Sequence, residues 1–241
     1  MDNGRIKNGY KSVANLYDNY ITGKNLFFKI IAKTVWGFTD KEYSQKLLEY
    51  IPNDFSGKLF DIPAGTGVLI IDKYSKLNEA KIVCMDYSVD MLKIAKQRFD
   101  KNNLKNIECI QGDVGNIPFA DETFDTVISM NGFHAFPDKG KAFVEINRVL
   151  KNNGILIGCF YIKGMVKRTD WFINKLFVKN GTFIPPFFDF NEVKEKLNEN
   201  YEEIELWNMG SIICFKCRKN NGVRINGHTR GLYAPIAQAM T

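Results

Sequence analysis

One short stretch restricts the fold more than any other: Leu59-Phe60-Asp61-Ile62-Pro63-Ala64-Gly65-Thr66-Gly67-Val68-Leu69. It reads as the end of a buried strand, a glycine turn and the start of a helix. Gly65 and Gly67 allow positive φ and leave no Cβ between main chain and a ligand. The free N–H groups at the helix start would face whatever binds there. This is half of a nucleotide-binding fingerprint. A dinucleotide site has G-x-G-x-x-G, with the pyrophosphate on the helix end; here Ile70 stands at the third glycine position. Asp61, at the strand end, would repel a pyrophosphate and suits a ligand with a cationic end, such as the ammonium of an amino acid. Taken alone, the turn also fits a plain loop.

The following segments favour the binding reading. Lys81–Asp86 is a second apolar run ending in an acid, and Asp86 lies about 20 residues past the glycines, where a βαβ unit puts a carboxylate on ribose hydroxyls. Its two oxygens can hold a vicinal diol. Ile107–Val114 is a third strand, and its Asp113 could accept from the exocyclic amine of an adenine. Phe124–Met130 is a fourth strand. Acids ending consecutive parallel strands meet at one sheet edge, where such folds bind ligands. Strands alternating with helices predict an α/β, doubly wound, mostly parallel sheet.

These pieces resemble the class I S-adenosylmethionine-dependent methyltransferases. The resemblance rests on Asp61-Ile-Pro-Ala-Gly-Thr-Gly67, Met85-Asp86-Tyr87-Ser88 with Met91-Leu92, Gln111-Gly112-Asp113-Val114, Phe124-Asp125-Thr126-Val127-Ile128 and Phe143–Gly154. It covers roughly residues 10–218 and looks nearest to the small-molecule branch with the quinone-biosynthesis C-methyltransferases. Asn152-Asn153-Gly154 stands where the family usually has Pro-Gly-Gly. The resemblance implies a Rossmann-like, seven-stranded sheet closed by an antiparallel hairpin, under a helical cap. It implies S-adenosylmethionine as cofactor, S-adenosylhomocysteine as product, no metal, and a small-molecule acceptor rather than nucleic acid. It places Tyr17, Asp61, Ala64, Gly65, Thr66, Gly67, Asp86, Tyr87, Met91, Gly112, Asp113, Val114 and Ser129 around the cofactor. Tyr17 is either a lid residue or a packing tyrosine. Met91 lies against the adenine or in the core.

Composition agrees with a globular α/β chain: 241 residues, 45% hydrophobic and 25% charged, with a net charge of +6 spread rather than clustered. Ile155–Ile162 is the longest apolar run, too short to span a bilayer, and no signal peptide is expected. Five cysteines, mostly in predicted strands, fit a reducing, cytoplasmic setting. Cys214 and Cys217 form a CxxC pair whose members point to opposite faces of a strand, which argues against zinc. The chain divides into a helical lid (1–38), a methyltransferase domain (39–218) and a tail (219–241) that is disordered or added to the natural chain. Thr39–Glu42 reads as a capping box for a helix ended by Pro52. A helix is expected to run from the glycine turn to about Tyr74, and another from Asp138 to Gly154, before a strand over Ile155–Tyr161.

Residues 163–189 break the rhythm with an aromatic insertion that includes Trp171, Phe172, Leu176, Phe183 and Phe187. It forms an apolar acceptor pocket, buries the cap against the sheet, or touches a membrane surface. His134, in the loop after the fourth strand, is the candidate catalytic base, its pKa lying near neutrality; a structural role is the alternative. Asn131-Gly132-Phe133 replaces the Asn/Asp-Pro-Pro-aromatic run of DNA amino-methylating enzymes. A nicotinamide oxidoreductase of the short-chain type would need Tyr-x-x-x-Lys after its later strands, and the only such pair is Tyr20 with Lys24. A non-catalytic protein that binds the same cofactor is the other reading.

Overall fold

The computed structural model of the chain describes residues 35–37 and 40–221. Tyr17, most of the expected lid, Thr39 of the capping box and the tail from residue 222 lie outside the described residues. Helix α1 (Asp40–Leu48) leads into β1 (Lys58–Asp61), α2 (Ile71–Tyr74), β2 (Lys81–Asp86), α3 (Val89–Lys101), β3 (Ile107–Gln111) and β4 (Phe124–Met130). Then come α4 (Lys139–Val149), β5 (Leu150–Tyr161), α5 (Lys167–Phe172) running into a π-helical turn (Ile173–Phe177), α6 (Phe190–Asn200), β6 (Tyr201–Met209) and β7 (Ile212–Lys219).

The strands form one seven-stranded sheet in the order β3-β2-β1-β4-β5-β7-β6. Strands β1 to β5 run parallel, and β7 is antiparallel to both β5 and β6. The chain winds outward from β1 through β2 to β3, then returns to lay β4 on the other side of β1. Residues alternate between faces as strand geometry requires. Leu59, Cys84, Ile128 and Ile157 point into one core layer, beneath α1, α2 and α3. Phe60, Met85, Val127 and Leu156 point into the other, beneath α4 and α6. Burying each such side chain contributes about 1.5–3 kcal/mol, so a one-residue slip of any inner strand would exchange both layers. Cys214 and Cys217 fall in opposite layers, as their spacing predicts.

The helix ends have local causes. Ser88 caps α3 by accepting from Met91 N–H, Asp138 caps α4, and Asp189 with Glu192 forms a reciprocal capping box on α6. Two expected boundaries are corrected. Helix α4 ends at Val149 instead of Gly154, because Leu150 pairs with Phe124 and already belongs to β5. Helix α2 is a single turn, because residues 63–70 form a run of turns along a cavity wall before the chain becomes helical. Among the described residues, no helix is long and apolar enough to cross a membrane.

Candidate active site

The carboxyl ends of β1 and β4 flank the point where strand order reverses, and a cavity opens there. Each wall follows one strand: Asp61–Ile70 after β1, Asp86–Ser88 with Met91 after β2, Gly112–Val114 after β3, and Met130, Asn131 and Ala135–Pro137 after β4. Gly132 is what lets the first and last walls touch. A Cβ there would lie 2.4 Å from Pro63 Cδ and 2.8 Å from Phe136 Cζ.

The glycine turn is held from two sides. Asp86 Oδ2 accepts from Gly65 N–H at 2.8 Å, and its Oδ1 accepts from Ser88 N–H at 2.8 Å. The Arg98 guanidinium of α3 donates to the Thr66 carbonyl. Gly65 and Gly67 both have positive φ, +55° and +70°, but they do different jobs. A Cβ on Gly67 would meet Phe99 at 2.8 Å, whereas one on Gly65 meets nothing within 4 Å. Gly67 therefore serves close helix packing, and Gly65 keeps a cradle open.

Asp61 is 1% exposed and accepts from the Tyr74 hydroxyl at 3.0 Å. Burial first, then the nearby Asp86 charge, pushes its pKa up to about 7. Burial likewise pushes Asp86 up to about 6, against the opposing pull of backbone hydrogen bonds. Two desolvated carboxyls on one cavity favour a cation as ligand, since an opposite charge would return both to their ordinary range. Asp113 Oδ1 accepts from Gly115 N–H at 2.8 Å. The loop behind it is tied to α4 by Arg148, which pairs with Glu145 and Asp121 and donates to the Ile117 and Phe119 carbonyls.

Of the expected cofactor residues, Asp61, Ala64, Gly65, Thr66, Gly67, Asp86, Tyr87, Met91, Gly112, Asp113 and Val114 line this one cavity. Ser129 does not. It is fully buried behind the wall, with no hydrogen-bond partner for its Oγ among the described residues. His134 also lies outside the lining. Its ring stacks on Phe183 at 3.9 Å, and its Nδ1 accepts from Tyr161 N–H at 3.1 Å. Burial, and then Lys139, push its pKa down to about 3. With its lone pair committed and its face covered, His134 is not placed to take a proton from a ligand, and the catalytic reading gives way to a packing one. The insertion likewise divides. Phe183 and Phe187 are buried, while Trp171 and Leu176 point to solvent rather than into a pocket.

The cavity also holds residues outside the expected cofactor set. Asn131 sits at φ +56° and exchanges hydrogen bonds with the Tyr43 hydroxyl of α1. Phe136 and Pro137 form the apolar part of the same wall. A readable signal was the Asn-Gly pair at 131–132, since asparagine tolerates positive φ better than most residues.

Comparison with known proteins places the chain in a family. A family model described as a methyltransferase domain matches residues 55–207. A demethylmenaquinone methyltransferase of Thermotoga maritima is 30% identical over 175 residues, covering 73% of this chain and 72% of that protein. A ubiquinone/menaquinone biosynthesis C-methyltransferase of Teredinibacter turnerae is 34% identical over 120 residues, 48% of this chain and 47% of that protein; against this relative the chain spans about half the length. A SAM-dependent methyltransferase from Aquifex aeolicus shares the fold with a TM-score of 0.56 and 20% identity, covering 73% of this chain and 88% of that one. The chain belongs to the methyltransferase-domain family, and with it to the class I S-adenosylmethionine-dependent methyltransferases.

Proposed function

We propose that the cavity binds S-adenosylmethionine and that the chain transfers its methyl group, by in-line displacement, to a small apolar or aromatic acceptor. One observation carries this reading: Asp61, Asp86, Asp113 and the open side of Gly65 all line a single cavity at the strand-order switch. The donor set fits a ligand with an ammonium, a ribose diol and an adenine amine. Asp61 would hold the cationic end. Asp86 spends one lone pair of each oxygen on Gly65 and Ser88 and keeps others for hydroxyls. Asp113 keeps Oδ2 for an exocyclic amine, and Met91 and Val114 would flank the base.

Bound S-adenosylmethionine supplies a methyl group already activated on a sulfonium. The chain then has to orient the acceptor and exclude water, and orientation supplies much of the acceleration in such reactions. The wall after β4 suits that task, being apolar except for Asn131. The names of the relatives support an aromatic ring, such as a quinol, as the acceptor. Titration with S-adenosylmethionine, followed by turnover of a radiolabelled methyl with small quinols and phenols, tests the reading. Gly65→Asn, with a side chain that tolerates the left-handed φ of +55° at this position, should fold and lose donor binding by about 100-fold, because the new side chain fills the cradle. Wild-type protein that neither binds the donor nor labels any acceptor would overturn it.

A further inference from the structure

The insertion has an outer face that the donor cavity does not use. Among the described residues, four large hydrophobic side chains are markedly exposed: Val144, Met165, Trp171 and Leu176. Three of them fall within twelve residues, on α5 and its flanks. The inner side of the same segment is anchored. Thr169 and Ile173 are buried, and Thr169 Oγ1 donates to the Val35 carbonyl at 2.6 Å. Exposure of Trp171 and Leu176 is therefore a property of one face and not of a loose loop.

Charge on that face has one sign. Lys167, Arg168, Lys175 and Lys179 are exposed and make no ion pair among the described residues. Lys175 lies 4.5 Å from the Trp171 ring centroid. Asp170 is the only acid between residues 163 and 188, and both its oxygens are taken, by the Tyr161 hydroxyl and Gly164 N–H. A face with exposed apolar side chains and unpaired cations complements a sheet of lipid phosphates over an acyl layer. Tryptophan favours that boundary because its ring is apolar and its N–H polar.

We propose that this face docks on an anionic lipid surface, with Met165, Trp171 and Leu176 entering the headgroup boundary and the four cations meeting phosphates. Docking goes beyond methyl transfer and does not depend on it, so it is measured without donor or acceptor. The full chain is floated with phosphatidylcholine vesicles, with and without phosphatidylglycerol. Binding should favour the anionic vesicles by about tenfold or more, weaken in high salt, and shift tryptophan emission to the blue. Lys167→Glu with Arg168→Glu should lower binding about tenfold. Trp171→Ala should remove most of the blue shift, with the melting temperature and donor titration unchanged. Equal binding to neutral vesicles, or full binding by both variants, would overturn the proposal. So would dimerisation in the absence of lipid that Trp171→Ala abolishes, because the face would then serve a second copy of the chain.

Discussion

Asp61 shows how one buried carboxyl couples folding to ligand charge. Its pKa rises from 3.8 to about 7, so the folded chain holds this proton more tightly than the unfolded one. The stability it supplies is complete at low pH and is lost as pH rises through 7. Asp61→Asn keeps an acceptor for Tyr74 and carries no charge. It should raise the melting temperature of donor-free protein at pH 8, by the equivalent of about 1–3 kcal/mol. The same change should weaken donor binding by about 10–100-fold, as calorimetry would read it. Stability unaltered at pH 8 would show that the carboxyl is better solvated than its burial implies. His134 has the opposite sign. It is buried neutral, so the unfolded chain takes up its proton first, and stability falls as pH drops below 6.5. Activity should show no limb near pH 6.5 that His134→Gln removes. His134→Ala, by contrast, should cost about 2–4 kcal/mol, by opening a hole beside Phe183 and orphaning Tyr161 N–H.

Among elements, α4 supplies one link between insertion and cavity wall, beside the bond from Ile184 N–H to the His134 carbonyl at 2.9 Å. Lys139, 7% exposed, donates to the Phe136 carbonyl at 3.1 Å and to the Ile184 carbonyl at 2.6 Å. Its ammonium lies 5.8 Å from the Phe187 ring, and burial pushes its pKa down to about 8. Phe136 lines the cavity, and Ile184 belongs to the insertion, so one cation ties both together. Lys139→Met should keep the apolar stem but leave two carbonyls without their donor, at a cost of about 1–3 kcal/mol. Hydrogen exchange should then quicken in residues 182–188 before it changes in β4 or β5. Exchange spread evenly over the chain would mean that Lys139 stabilises the fold without fastening the insertion.

At the scale of the whole molecule, two core layers share one sheet, and thiol chemistry can report on both. Cys84, Cys159, Cys214 and Cys217 are fully buried, and Cys109 is partly exposed. Burial raises the pKa of Cys84, Cys214 and Cys217 well above the ordinary thiol range. Thiol labelling of native protein should modify Cys109 first. The four buried thiols should follow together, at a rate that tracks global unfolding. Early labelling of Cys214 or Cys217 alone would show that the β6–β7 hairpin opens independently of the parallel strands.

The succession of strands and helices along the chain, the acids at the strand ends and the glycine turn were legible in the sequence because each is local. Alternation at Leu59-Phe60, a cap at Ser88 and positive φ at Gly65 follow from the residue and its immediate neighbours. So did the opposite facing of Cys214 and Cys217, which needs only the period of a strand. Asp125 carried a motif for a reason remote from the cavity: it accepts from Lys58 N–H and pairs with Lys151, fixing β1 to the start of β5. What the sequence left undecided depends on groups distant in the chain. Whether His134 acts as a base turned on Tyr161 and Phe183, 27 and 49 residues away. Whether Trp171 lines a pocket or meets solvent turned on which side of α5 the Thr169–Val35 contact holds down. Local preference can place a side chain on a strand end or a helix face. Only packing between distant segments sets its solvation and its partners, and those decide what chemistry it can do.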